Sequence, residues 1–225
     1  GFLLSKIAFQ ENSIIANFYT KKHGKCSGII YGATSKKIKN YLQKGNELFL
    51  EYNSKNENAL GYFKVEIINP HTSKFFSDRK KLNCIVSTLE LIKILTVEGQ
   101  ENIKIYNLIQ ELFILLNKEN WFVEYGFWEL NLLKFIGFDL NIKDYCKPEN
   151  TENSKKYYIE NSQKKLIVPN FLVENTNDVK ISVNDVYNSL NLISEYLKKN
   201  IFLPNNINFP NSRKNFINYF KILSR

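Results

Sequence analysis

Residues 13–20 read Ser13-Ile14-Ile15-Ala16-Asn17-Phe18-Tyr19-Thr20, and residues 21–24 read Lys21-Lys22-His23-Gly24. The octet alternates. Ile14, Ala16 and Phe18 fall on one side of an extended chain, and Ile15, Asn17 and Tyr19 on the other. That two-residue period is the pattern of a half-buried strand. The tetrapeptide after it has the make-up of a turn, with a glycine able to take positive φ. Residues 25–32 (KCSGIIYG) then read as the returning strand. Upstream, residues 2–9 are short and apolar. Downstream, Glu47–Asn53 sets Leu48, Leu50 and Tyr52 on one face. Residues 54–59 form a polar turn, and residues 60–68 turn Phe63, Val65 and Ile67 inward with Tyr62, Lys64 and Glu66 outward. Five short strands, with one longer connection at residues 33–45, match an OB-type barrel. An SH3-like barrel has a similar strand count, so counting strands leaves both open.

After Pro70 the period changes. Leu82, Ile85, Val86, Leu89 and Ile92 form a helical stripe, and residues 103–116 are apolar on most faces, as in a buried helix. Asn120 is placed to cap a helix over residues 121–136 that ends at Gly137. Ser182, with Asp185 three residues on, has the spacing of a capping box. The stripe behind it is Val183, Val186, Leu190, Ile193 and Leu197. A last helix is expected over residues 212–223. Residues 148–165 are rich in Asn, Glu and Lys and read as a loop. The expected class is α+β: a barrel domain at 1–70, then a helical domain at 71–225 with an irregular insertion near 146–181.

The chain has 225 residues, enough to bury a core without staples. No apolar run is long enough for a membrane span, and no signal peptide is recognisable. There is no methionine, so the natural start is expected upstream. Cys26, Cys84 and Cys146 are widely spaced and form no CxxC pair, which suits a reducing compartment. The net charge is +9. With 28 Lys, 3 Arg and 31 Asn, part of that excess reflects an AT-rich genome in which lysine is the default surface residue. Its distribution says more. Residues 1–80 hold 13 Lys/Arg against 6 Asp/Glu, and residues 81–225 hold 18 against 16. An excess concentrated in the barrel is the footprint of a polyanion binder.

Catalytic patterns are scarce. The histidines are His23, in the hairpin turn with Glu11 as its nearest carboxylate in sequence, and His71, at the domain junction, where a junction or capping role is expected. No Walker A, G-x-G-x-x-G, G-x-S-x-G or H-E-x-x-H pattern occurs, and the expectation is a chain that is not an enzyme. Nucleic-acid binding has more to work with. Lys21, Lys22 and Lys25 flank the first hairpin turn; Lys36, Lys37, Lys39 and Lys44 crowd the long connection. Tyr19, Tyr31 and Tyr41 lie beside them and could stack on bases. The seven lysines are expected to form one continuous surface for the DNA backbone. The aromatics of 121–136, among them Phe122, Tyr125, Phe127, Trp128 and Phe135, exceed what one buried face needs, so some are expected to line an apolar groove. No cofactor or metal is expected. A general RNA- or tRNA-binding barrel with a helical adaptor is the alternative reading.

The order of motifs resembles the bacterial recombination mediator family RecO. The matching stretches are Gly1 to Ser5, Glu11 to Ser13, Thr20 to Gly24 (T-x-x-H-G), and Gly28-Ile29-Ile30-Tyr31-Gly32-Ala33 before a basic run. Leu42-Gln43-Lys44-Gly45-Asn46 follows, with lysine where the family has proline. Trp128-Glu129-Leu130-Asn131-Leu132-Leu133 and Ile136-Gly137-Phe138-Asp139-Leu140 complete the series. The resemblance implies an N-terminal OB domain and a helical C-terminal domain. It implies binding of single- and double-stranded DNA, strand annealing, contact with RecR, and capture of the acidic tail of single-strand-binding protein by the helical domain. It also implies help in loading RecA, in the cytoplasm at the nucleoid. Some members hold zinc with four cysteines after the L-G-[FY] helix. Only Cys146 stands there, so the departure implies no zinc. Where many members carry arginine before the [FW]-E-L motif, this chain has Phe127. The cationic contact to the tail then falls to Lys134.

Overall fold

The computed structural model describes residues 1–54, 59–151, 154–161, 164–174 and 181–223. The chain divides into two compact units, Gly1–Phe113 and Ile114–Arg225.

In the first unit the elements run β1 (Phe2–Gln10), β2 (Ser13–Thr20), β3 (Gly24–Tyr31), α1 (Lys36–Tyr41), β4 (Glu47–Asn53) and β5 (Tyr62–Asn69). A 3-10 turn (His71–Phe75), α2 (Arg79–Leu95) and α3 (Ile103–Leu115) follow. The strands close into an OB-type barrel in the order β1-β2-β3-β5-β4. β2 and β3 pair over their full length, from Ser13 opposite Tyr31 to Thr20 opposite Gly24. The two closing seams are short: Phe2 opposite Glu47 joins β1 to β4, and Ile29 opposite Tyr62 joins β3 to β5. The alternation of residues 13–20 is realised, with Ala16 and Phe18 in a core shared by Leu3, Ile30, Leu48, Phe63 and Val65. Leu50 and Ile67 pack against that core and are half-buried. Gly28 is where β3 meets the Phe63 ring; a Cβ there would lie 2.5 Å from it. The centre of the expected turn, residues 55–58, lies outside the described residues.

The long connection is not a loop. Ser35 caps α1 by accepting the Ile38 N–H at 3.4 Å. Ala33, Ile38, Tyr41 and Leu42 then enter the barrel core. The start of β1, Phe2 to Ser5, is buried on both faces. Phe2 is fully buried, its ring centroid 5.2 Å from Tyr106 and 6.0 Å from Phe113. Burying a ring of that size stabilises by roughly 2–3 kcal/mol. Asp78 opens α2 by accepting the N–H groups of Lys80 and Lys81 at 3.0 and 3.1 Å.

The second unit contains α4 (Trp121–Phe135), α5 (Ile142–Tyr145), β6 (Lys147–Thr151), β7 (Ser154–Asn161), β8 (Lys164–Val168), α6 (Asn170–Val173), α7 (Val183–Leu197) and α8 (Asn211–Leu223). The Ser182–Asp185 capping box is present in full. Gly137 ends α4 with φ +87°. The aromatic surplus of α4 is mostly core: Trp121, Tyr125 and Trp128 are buried, with Tyr125 edge-on to Phe216 and Trp121 to Phe220 of α8.

One expectation needs correction. The stretch read as irregular, within residues 146–181, holds a three-stranded antiparallel sheet in the order β6-β7-β8. Its polar composition is one face of the sheet. Lys147 pairs with Glu160 at 2.8 Å and Lys165 with Glu149 at 2.6 Å. Its other face is carried by a few residues, chiefly the opposed pair Tyr157 and Val168, both buried. Cross-strand charge pairs and two buried side chains suffice where β-propensity is low.

Candidate nucleic-acid interface

β3 decides how the lysines are arranged. Lys21, Lys22 and His23 form the exposed tip of the β2–β3 hairpin, before the strand begins. Gly24 takes φ +59° there, and its missing Cβ lets the backbone of Gln100 pack against it. Lys36, Lys37 and Lys39 come after the strand ends, exposed on α1. From Gly24 to Tyr31 the strand spans roughly 23 Å at about 3.3 Å per residue. The two groups are therefore separated along the chain by the full length of that strand.

Two of the seven lysines are committed elsewhere. Lys25 Nζ donates to the carbonyl oxygens of Lys93 at 2.8 Å and Thr96 at 2.5 Å. It thus satisfies the C-terminal end of α2, whose carbonyls lack partners and attract cations. Burial lowers its pKa, opposed by the nearby Glu98 carboxylate. Lys44 lies 3.5 Å from Glu90. Among the described residues, no carboxylate comes within ion-pair distance of Lys21, Lys22, Lys36, Lys37 or Lys39.

The tyrosines divide in the same way. Tyr19 is 1% exposed, and its hydroxyl donates to the Asn102 carbonyl at 3.4 Å. Burial pushes its phenol up to about 12. Its ring is part of the packing on the outer barrel face and is not a stacking platform. Tyr41 is half-buried against the barrel core. Tyr31 is exposed, 5.9 Å from Tyr62, at the α1 end of β3.

The sequence reading passed over two features. Lys6 donates to the Leu42 carbonyl at 2.6 Å, and its pKa is lowered by burial and then by the Lys39 charge, which places it beside the α1 group. A lysine inside an apolar strand facing the long connection was the available signal. The second is a mostly apolar cleft of about 1040 Å³ between the hairpin tip and β4, lined by Lys21, Lys22, Ser27, Leu50, Tyr52 and Phe63 among others. Phe49 and Tyr52, both among its lining residues, are exposed. The alternation of Leu48, Leu50 and Tyr52 signalled strand but not which part of the barrel stays open.

In the second unit, Phe127 and Lys134 are both exposed on α4. Seven residues apart, they share one helix face, about 10.5 Å apart along the axis. Phe127 lies edge-on to Phe171 at 5.8 Å. Cys146 is half-buried. Among the described residues there is no group of three or more His, Cys, Asp or Glu that could hold a metal ion, and no helix long and apolar enough to cross a membrane.

Comparison with known proteins agrees with this architecture. Residues 1–71 match the family model described as Recombination protein O N terminal, and residues 77–214 match Recombination protein O C terminal. DNA repair protein RecO of Rickettsia typhi is 29% identical, over 97% of this chain and 96% of the relative. That of Rickettsia canadensis is 27% identical, over 97% and 94%. That of Ehrlichia chaffeensis is 28% identical, over 92% and 90%. With an OB-type barrel and a helical unit in the same order as the two family models, the chain belongs to the RecO family of DNA repair and recombination proteins.

Proposed function

We propose that the barrel, residues 1–70, binds single- and double-stranded DNA through the hairpin-tip lysines and the α1 lysines, and that the chain uses this grip to anneal complementary strands. Lysine is a point charge that reads phosphate and not base edges, so binding is largely independent of sequence. The observation that carries this reading is the exposure of Lys36, Lys37 and Lys39 on one short helix, with no carboxylate partner among the described residues. The strand between the two groups, roughly 23 Å long, matches about seven phosphate steps of a B-form strand. A strand laid along the hairpin reaches both.

Residues 71–225 carry the partner contacts in this reading. The Phe127–Lys134 face of α4 offers an apolar ring and a cation to the acidic tail of single-strand-binding protein. RecR and, indirectly, the RecA filament are the further partners. The test is annealing of complementary DNA oligonucleotides. The chain accelerates it, and Lys36→Glu/Lys37→Glu/Lys39→Glu together remove most of the acceleration. An unaccelerated reaction, with binding retained, would favour a passive nucleic-acid-binding module instead.

A further inference from the structure

We infer that the cleft between the hairpin tip and β4 holds an unpaired nucleobase of a DNA strand whose phosphates lie on Lys21 and Lys22. The inference rests on the DNA-binding reading above and gives it a second determinant, one that separates single strands from duplex.

The cleft exists because β3 and β5 touch at one residue pair, Ile29 with Tyr62. Toward the hairpin tip the strands part, and Leu50, Tyr52 and Phe63 face Cys26 and Ser27 across the gap. The β3 edge is closed on both sides of Ser27. The Lys25 carbonyl accepts from the Gly99 N–H at 2.8 Å, and the Ile29 N–H donates to the Gly61 carbonyl at 2.9 Å. By the two-residue period of a strand, the Ser27 N–H and C=O point to the same edge between them. No backbone group among the described residues meets them there. A single open donor–acceptor pair, closed off on either side, is too short to accept an added peptide strand. It does suit the adjacent donor and acceptor of a base edge.

The walls suit a base as well. Tyr52 and Phe49 are both lining residues and both exposed, and a flat ring is what a base stacks on. Lys21 and Lys22 supply positive charge on the rim. The lining also holds one carboxylate, Glu98, against the cationic side chains of Lys21, Lys22 and Lys25. A base held in a duplex is already stacked and paired and cannot enter without the cost of extrusion.

The experiment compares a thymidine oligonucleotide with an all-abasic strand of equal length, titrated onto the full chain. The two strands carry the same phosphates. Thymidine should bind at least about 5-fold tighter, the lower end expected for one stacked base. Tyr52→Ser, or Phe49→Ser should the first variant fail to melt cooperatively, should erase most of that difference. Equal affinity of the two strands for the unmodified chain would overturn the inference, as would a thymidine preference that survives in both variants. If equal affinity comes with loss of binding in the α1 lysine variant, only the cleft is overturned. If neither strand binds at all, the DNA-binding reading falls with it.

Discussion

Arg213 and Glu129 form a buried, two-pronged ion pair that ties α8 to α4. Their side chains are 0% and 2% exposed, with Nη2 donating to Oε2 at 2.9 Å and Nη1 to Oε1. The rest of the guanidinium is also used: Nε donates to Ser194 Oγ at 2.9 Å and Nη2 to the Leu190 carbonyl at 3.1 Å. Tyr125 donates its hydroxyl to Glu129 Oε1 at 2.7 Å. Removing one partner leaves the other charge buried and uncompensated. Glu129→Ala should therefore cost about 3–5 kcal/mol in urea unfolding, and replacing both residues by leucine should cost much less. Equal losses in the single and double variants would contradict this account.

Lys25 makes a different claim. Because its ammonium closes the C-terminal end of α2, Lys25→Met should lower stability by about 1–2 kcal/mol in thermal unfolding. It should leave the salt dependence of DNA binding close to that of the unmodified chain. A flattened salt slope with unchanged stability would return Lys25 to the DNA surface.

Glu47 and His71 set a pH dependence. Burial lowers the His71 pKa, outweighing the attraction of Glu47, whose Oε2 lies 3.6 Å from Nε2. Burial pushes Glu47 up, but hydrogen bonds from Asn69 and Tyr106, both at 2.9 Å, hold it below its usual value. Both folded-state values are depressed. The unfolded chain therefore binds more protons, and stability rises with pH. His71 contributes fully above its ordinary value of about 6.5 and loses that contribution as pH falls below it; Glu47 follows below about 4.3. His71→Phe keeps a ring against Phe113, stacked on His71 at 4.4 Å, and should flatten the stability curve below about pH 6.5. An unchanged slope would show that His71 does not set it.

The α4 face gives a fourth expectation. A peptide with acidic residues and a C-terminal aromatic should bind the full chain, and Phe127→Ala with Lys134→Glu should abolish the calorimetric heat. Heat unchanged in the double variant would move the tail site elsewhere.

How far the sequence reached depends on the range of each interaction. The barrel was legible in residues 13–20 because alternation is local, and the α7 start was legible because a capping box needs only Ser182 and Asp185. Tyr19 was correctly placed on the outward row, but the carbonyl its hydroxyl meets belongs to Asn102, 83 residues away. Lys25 was read by composition as a phosphate ligand, whereas the carbonyls it meets belong to the end of α2. The small sheet was missed because Lys, Glu and Asn are poor strand formers, and its register rests on cross-strand pairs that no single segment shows. The Glu129–Arg213 pair, 84 residues apart, left no local pattern at all.

The central claim is that the hairpin-tip lysines and the α1 lysines hold DNA phosphates, and salt titration of single-strand binding tests it most directly. If Lys21, Lys22, Lys36, Lys37 and Lys39 each neutralise one phosphate, log K falls against log salt with a slope of about −3.5. Lys36→Glu/Lys37→Glu/Lys39→Glu should weaken binding and flatten the slope by about 2, with the fold intact, since exposed charges contribute little to stability. An affinity and slope unchanged in that variant would contradict the account and place the DNA path elsewhere.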